Sequence, residues 1–274
     1  AVASWTGLPA VSGAPLAGLV GLWLAVRLAA NVDFGIPLLP AGLSLAFFLA
    51  SALALTLPIV KSRNRRNYAV PFLLLGFAAT NLCFHLALAG RVAVDPRGLL
   101  YAGLLVVAAI ICFVGMRVIP FFAHRALEVP QVGHGLAMLA VAVAAPLVLA
   151  GLLASGVGGP LPLVVGLVGM AVNLERLARW WKPAALRNPL LWILFAGYGC
   201  TAIGVGLAGV AVSLVPGLLS GALHCIAVGG VGVLTLGMMT RTALGHTGRP
   251  LKLPRSMVVA YGLMLAATVL RLAA

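Results

Sequence analysis

The residues of this chain best suited to chemistry are two histidines inside long apolar runs. His85 sits in NLCFHLALAG and His224 in ALHCIAVGG. An imidazole placed in hydrocarbon costs free energy unless something binds it, so each is a functional-site candidate. Neutral imidazole is a good ligand for iron and copper. Two histidines at matched depth on two helices can supply axial ligands to a haem, or join a copper or proton site. The alternative is that each ring hydrogen-bonds to a Ser, an Asn or a carbonyl within the bundle. A second group gathers where two apolar runs end. Arg117 closes one run in GMRVIPFFAHR, followed by His124 and Arg125. Met238, Met239 and Arg241 close another, followed by His246 in a polar turn. Arg117 and Arg241 can hold haem propionates or another anion as charge-assisted pairs; the plainer reading is topology and lipid headgroups. His246 with Met238 or Met239 can hold copper, because thioether favours the cuprous ion. His134 opens a further apolar run and reads as an interfacial histidine.

The elements that must position these residues are membrane spans. Of the 274 residues 63% are hydrophobic and 8% charged, and mean hydropathy is +1.16. A soluble domain carries about a quarter charged residues. Nine apolar segments are expected, at 16–30, 38–60, 68–90, 98–122, 133–154, 161–178, 189–213, 217–240 and 256–273. They lack two-residue alternation and are too long for barrel strands, so the fold class is all-α, a polytopic transmembrane bundle. The first and sixth segments are the shortest against the roughly 20 residues that a bilayer core requires. All nine are read as one transmembrane domain over residues 1–274, with no soluble domain. The longest loop is expected at 241–255. Pro58, Pro120 and Pro146 are expected to kink or end their helices.

A net charge of +14 suggests nucleic acid, but the distribution excludes it. Fourteen of the 18 basic residues fall in alternate short loops, around Lys61–Asn67, Arg117–Arg125, Arg176–Arg187 and Arg241–Arg255. That asymmetry places those loops in the cytoplasm. It makes Trp180, Trp181 and Lys182 an interfacial anchor on that side. It also puts His85 and His224 about 8–10 Å inside the opposite face, at about 1.5 Å per residue. Cys83, Cys112, Cys200 and Cys225 lie in apolar segments without a CxxC spacing, so no disulfide framework is expected. The sequence lacks GxxxxGK[ST], HExxH, GxSxG and CxxCH. Glu128 and Glu175 have no partner carboxylate nearby in sequence, which argues against paired-carboxylate chemistry and hard-metal hydrolysis. In the eighth segment Gly217, Gly221, Cys225, Gly229 and Gly237 make a small-residue stripe beside His224. It suits helix packing or the approach of a flat ligand.

The run LHCIAVGGVGVLTLGMMTRTALGHTGRPL at 223–251 resembles the signature of the NnrS family. So do GMRVIPFF at 115–122, RNPLLWIL at 187–194 and SWTGLPAVSGAPL at 4–16. The likeness spans essentially the whole chain. It implies a bacterial inner-membrane protein that contains haem and copper and is linked to nitric oxide and denitrification. Such proteins have about twelve spans, so this chain reads as a fragment lacking about two before Ala1 and one after Ala274. By residue match, His85, Arg117, Pro120, His224, Arg241, His246, Gly248 and Arg249 fall on the family pattern. Phe195 stands where a family histidine is expected, and His124 where a smaller polar residue is. The resulting expectation is a haem-binding inner-membrane protein, with copper as a further candidate, acting against nitric oxide or in denitrification. Its partners would be the lipid bilayer, nitric oxide or a related small ligand, and a respiratory or denitrification complex. Sensing, sequestration and turnover all stay open. The alternative is a secondary transporter of a small solute or metal complex, or an assembly factor for a respiratory complex.

Overall fold

The computed structural model describes residues 6–133 and 135–273; His134 and the start of the SWTGLPAVSGAPL motif lie outside them. Among the described residues there is helix and no strand. Among these residues nine helical segments are long and apolar enough to cross a membrane, and the chain is a multi-pass membrane protein. The helices are α1 (Gly13–Asn31), α2 (Leu39–Lys61), α3 (Ala69–Leu88), α4 (Pro96–Leu127), α5 (Leu136–Ala154), α6 (Pro160–Trp180) and α7 (Pro189–Ser213). The eighth span is composite: α8 (Leu219–His224), a π-helical stretch (Cys225–Gly232) and α9 (Val233–His246). Helix α10 (Arg255–Ala273) follows. Proline in the first turn of α2, α6 and α7 marks where each helix starts, since its missing N–H is unsatisfied there anyway.

Several boundaries differ from the apolar runs. The first and sixth helices are longer than their hydropathy suggests, because helical hydrogen bonding continues past the last apolar residue. Helix α4 has 32 residues and runs through Pro120, and α2 and α5 run through Pro58 and Pro146. Arg241 does not open a polar turn: α9 stays helical to His246, which shortens the expected long loop to 247–254.

Two compact units divide the chain, residues 1–106 and 107–274. In the first, α1 packs on α2 and α2 on α3. Ala29 is the one buried residue of α1, and α3 buries only Leu73 and Ala78. Phe48 and Phe77 stack with ring centroids 6.1 Å apart. An apolar crevice of about 280 Å³ is lined by Leu19, Val20, Trp23, Phe47 and Ser51.

In the second unit α7 is the central element. Leu191, Ile193, Leu194, Val205 and Ala208 are all buried. Glycines let its backbone touch both neighbours. A Cβ on Gly209 would lie 2.5 Å from the Pro162 carbonyl oxygen, and one on Gly166 only 2.8 Å from the Gly209 Cα. Toward the eighth span, a Cβ on Gly204 would meet the Ala222 carbonyl at 3.0 Å, and one on Gly197 the Leu234 nitrogen at 3.2 Å. Close backbone approach of this kind is how helices associate where lipid removes the hydrophobic driving force. A buried polar pair adds to it: the Tyr198 hydroxyl donates to Asn173 Oδ1, and Asn173 Nδ2 donates to the Gly169 carbonyl at 2.8 Å.

One expectation is corrected here. Trp180 is no interfacial anchor: it is buried against Tyr198, with ring centroids 6.0 Å apart, and Trp181 meets Phe195 edge-on at 5.1 Å. Burial against aromatic neighbours wins over the membrane boundary for these rings. Glu175 lies inside α6, within the sixth span, and is ion-paired with Arg176 and Arg179, which lessens the cost of a carboxylate near the membrane.

Candidate functional site

His224 ends α8, directly before the π-helical stretch, and is half-buried. Its Nδ1 lies 2.7 Å from the Ser220 carbonyl oxygen. A carbonyl only accepts, so Nδ1 carries the hydrogen and donates it. In the neutral ring this leaves the lone pair on Nε2. A backbone carbonyl holding one ring nitrogen while the other stays open is the arrangement that orients ligating histidines. The two readings of this histidine therefore coexist: the carbonyl satisfies one nitrogen and leaves the other free to bind. The π stretch that follows winds eight residues, Cys225–Gly232. Such segments are rare and often mark functional sites. Gly229, Gly230 and Gly232 allow it to lie against Cys200, Thr201 and Met264.

The small-residue stripe serves helix packing. Gly229 faces Cys200 and Thr268, Gly237 faces Ile193, and Gly221 approaches Leu272. A Cβ at Gly217 would meet open space. The π winding breaks the four-residue register, so these positions meet different neighbours.

His85 belongs to the first unit, in the last turn of α3, and is half-buried. Its ring lies edge-on to Phe84, with centroids 5.5 Å apart. Its backbone carbonyl accepts from the Ala89 nitrogen at 3.0 Å, the last helical bond before Gly90 turns left-handed at φ 65°.

The two arginines have aromatic supports. The Arg117 guanidinium carbon stands 4.1 Å above the Phe113 ring, one turn back on α4. That of Arg241 stands 4.0 Å above Phe122, and its Nη2 donates to the Leu190 carbonyl at 3.0 Å. Arg241 Nε is buried without a hydrogen-bond partner, and the Tyr261 hydroxyl beside it approaches Thr240. Buried donors of this kind suit an acceptor or anionic group. Helices α7, α9 and α10 with the end of α4 thus supply a cationic corner inside the second unit.

The proposed copper residues are not brought together. Met238 packs on the core, Met239 is 64% exposed, and His246 is exposed at the end of α9. Adjacent helical residues point about 100° apart, and seven residues of helix separate His246 from Met239, about 10 Å along the axis. Among the described residues no three His, Cys, Asp or Glu side chains form a metal-holding group. His124 has a structural partner: its Nδ1 donates to the Val129 carbonyl at 2.6 Å, bracing the end of α4 beside the left-handed Glu128, φ 54°.

Some contributors escape sequence reasoning. Phe122 lies in GMRVIPFF, so that motif was the available signal. Gly115 of the same motif is required because a Cβ there would lie 2.4 Å from the Tyr198 ring. Tyr261 is a single tyrosine in an apolar segment and carries no signal at all. Phe195, where a family histidine was expected, is buried and filled by aromatic packing.

Comparison with known proteins places the chain. The sequence model of the family described as NnrS protein matches residues 1–274, and the chain belongs to that family. No curated protein and no solved structure matches it.

Proposed function

We propose that this member of the NnrS family is a haem-binding protein of the bacterial inner membrane that acts in the response to nitric oxide. The observation that carries the reading is His224, with Nδ1 tied to a backbone carbonyl and Nε2 available, at the head of a π-helical stretch. His224 would hold haem iron through Nε2; His85, in the other unit, stays a separate candidate for iron ligation. Arg241, with its buried free Nε and with Tyr261 beside the same corner, would take a propionate; Arg117 is the second candidate for that role. Haem iron supplies an open-shell metal that binds nitric oxide, so capture of that ligand is the activity proposed. Copper enters through the family alone; His246, Met238 and Met239 stand apart on α9 and are individual candidate ligands, not a formed set. The basic loops would face the cytoplasm.

The test is an optical spectrum and a pyridine haemochrome assay on purified intact protein, with and without added haem. A Soret band that shifts on adding nitric oxide is expected. Absence of any band after haem supplementation would remove the reading.

A further inference from the structure

Cys200 of α7 and Cys225, the first residue of the π stretch, face each other across the contact between α7 and the eighth span. Both are free thiols. The Cys225 Sγ–H donates to the Cys200 carbonyl oxygen at 3.2 Å, and the two side chains are in hydrogen-bond contact. The sequence offers no spacing that pairs them; they are 25 residues apart. The fold brings them together because glycines let the backbones touch. Around them, a Cβ on Gly204 would lie 3.0 Å from the Ala222 carbonyl and 3.1 Å from the Ile226 nitrogen. A Cβ on Gly229 would lie 2.9 Å from the Cys200 Sγ, so glycine there keeps the space that the sulfur uses.

We propose that Cys200 and Cys225 form a dithiol that exchanges with small-molecule disulfides and closes into an intramolecular disulfide. Cys200 is half-buried and Cys225 buried, so Cys200 is the attacking thiol. Its thiolate attacks one sulfur of the small disulfide. That S–S bond breaks, a mixed disulfide forms on Cys200, and the first small thiolate leaves and takes a proton. The Cys225 thiolate then attacks the Cys200 Sγ and displaces the second small thiolate. Two electrons pass from the protein pair to the small disulfide, and the two thiol protons end on the two released small thiols. The product ties the residue next to His224 covalently to α7. This inference does not depend on haem.

The experiment treats the purified protein in lipid nanodiscs with the uncharged, lipid-soluble disulfide 4,4′-dithiodipyridine or with dithiothreitol, alkylates free thiols, and maps the cysteine peptides by mass spectrometry, because both cysteines lie inside spans. The dipyridyl disulfide should remove two alkylatable thiols and yield a linked Cys200–Cys225 peptide pair, which dithiothreitol abolishes. Cys225→Ser should stop at a thiopyridine adduct on Cys200. All thiols remaining free, or a linkage between other cysteines, overturns the proposal in wild-type protein alone. A Cys200 that stays free in Cys225→Ser overturns the assigned order of attack.

Discussion

The two units of this chain use apolar sequence in opposite ways. In residues 1–106 the helices are greasy but bury little: Phe72 is 69% exposed and Leu53 58% exposed. Glycines such as Gly18, Gly21 and Gly42 have nothing within 4 Å of a built Cβ. In residues 107–274 the glycines of α6 and α7 each meet a neighbouring backbone or side chain within 4 Å. High hydropathy therefore marks what a segment tolerates in a membrane, and close packing marks where the protein specifies one arrangement. Lipid solvates leucine as well as another helix does, so burial has to be gained by shape. Buried polar groups occur in both units, with Ser44 and Asn67 in the first. Asn173, Thr201 and the Tyr198 hydroxyl all lie in the second unit and all have partners.

The strongest way to break this contrast is Gly209→Leu. Its side chain must displace the Pro162 carbonyl and the Gly166 backbone. A cost of about 3 kcal/mol or more is expected from such overpacking, read as loss of monodisperse protein and a collapsed thermal transition in detergent. His224→Ala comes next. It should abolish or displace the Soret band of haem-loaded protein while leaving the helical circular dichroism intact, and an unchanged band would remove His224 as a ligand. Tyr198→Phe leaves Asn173 Oδ1 without its donor in a buried site. A loss of about 1–2 kcal/mol is expected in denaturant unfolding; no change would mean that the pair adds nothing to the α6–α7 contact. Arg241→Lys should cost about 0.5–1 kcal/mol through the lost stack on Phe122 and should weaken haem retention. The smallest effect belongs to the first unit: Gly18→Ala should leave Tm unchanged, and a large drop there would erase the distinction between the units.

Parts of this were readable without coordinates, and the reason differs by residue. The nine spans follow from bilayer thickness, which demands length and apolarity and nothing finer. Their ends were misjudged at Arg241 and at Phe122, because helical hydrogen bonding does not stop where hydropathy falls. His224 was legible as an isolated imidazole in an apolar run, and Arg241 as a cation at its end. The carbonyl that orients His224 was not legible, since every residue carries one and only winding decides which is near. The glycine stripe was visible, but the partner of each glycine was not.

Apolar composition, the placement of basic residues and the lone imidazoles determined that this chain crosses a membrane many times and where its chemistry could lie. Tertiary structure alone decided that α7 is the packed centre, that π winding begins beside His224, and that Cys200 meets Cys225. The physical reason is that partitioning into lipid acts on each residue separately. Register, backbone contact and side-chain pairing depend on which helices meet, and that information is spread over residues far apart in the chain.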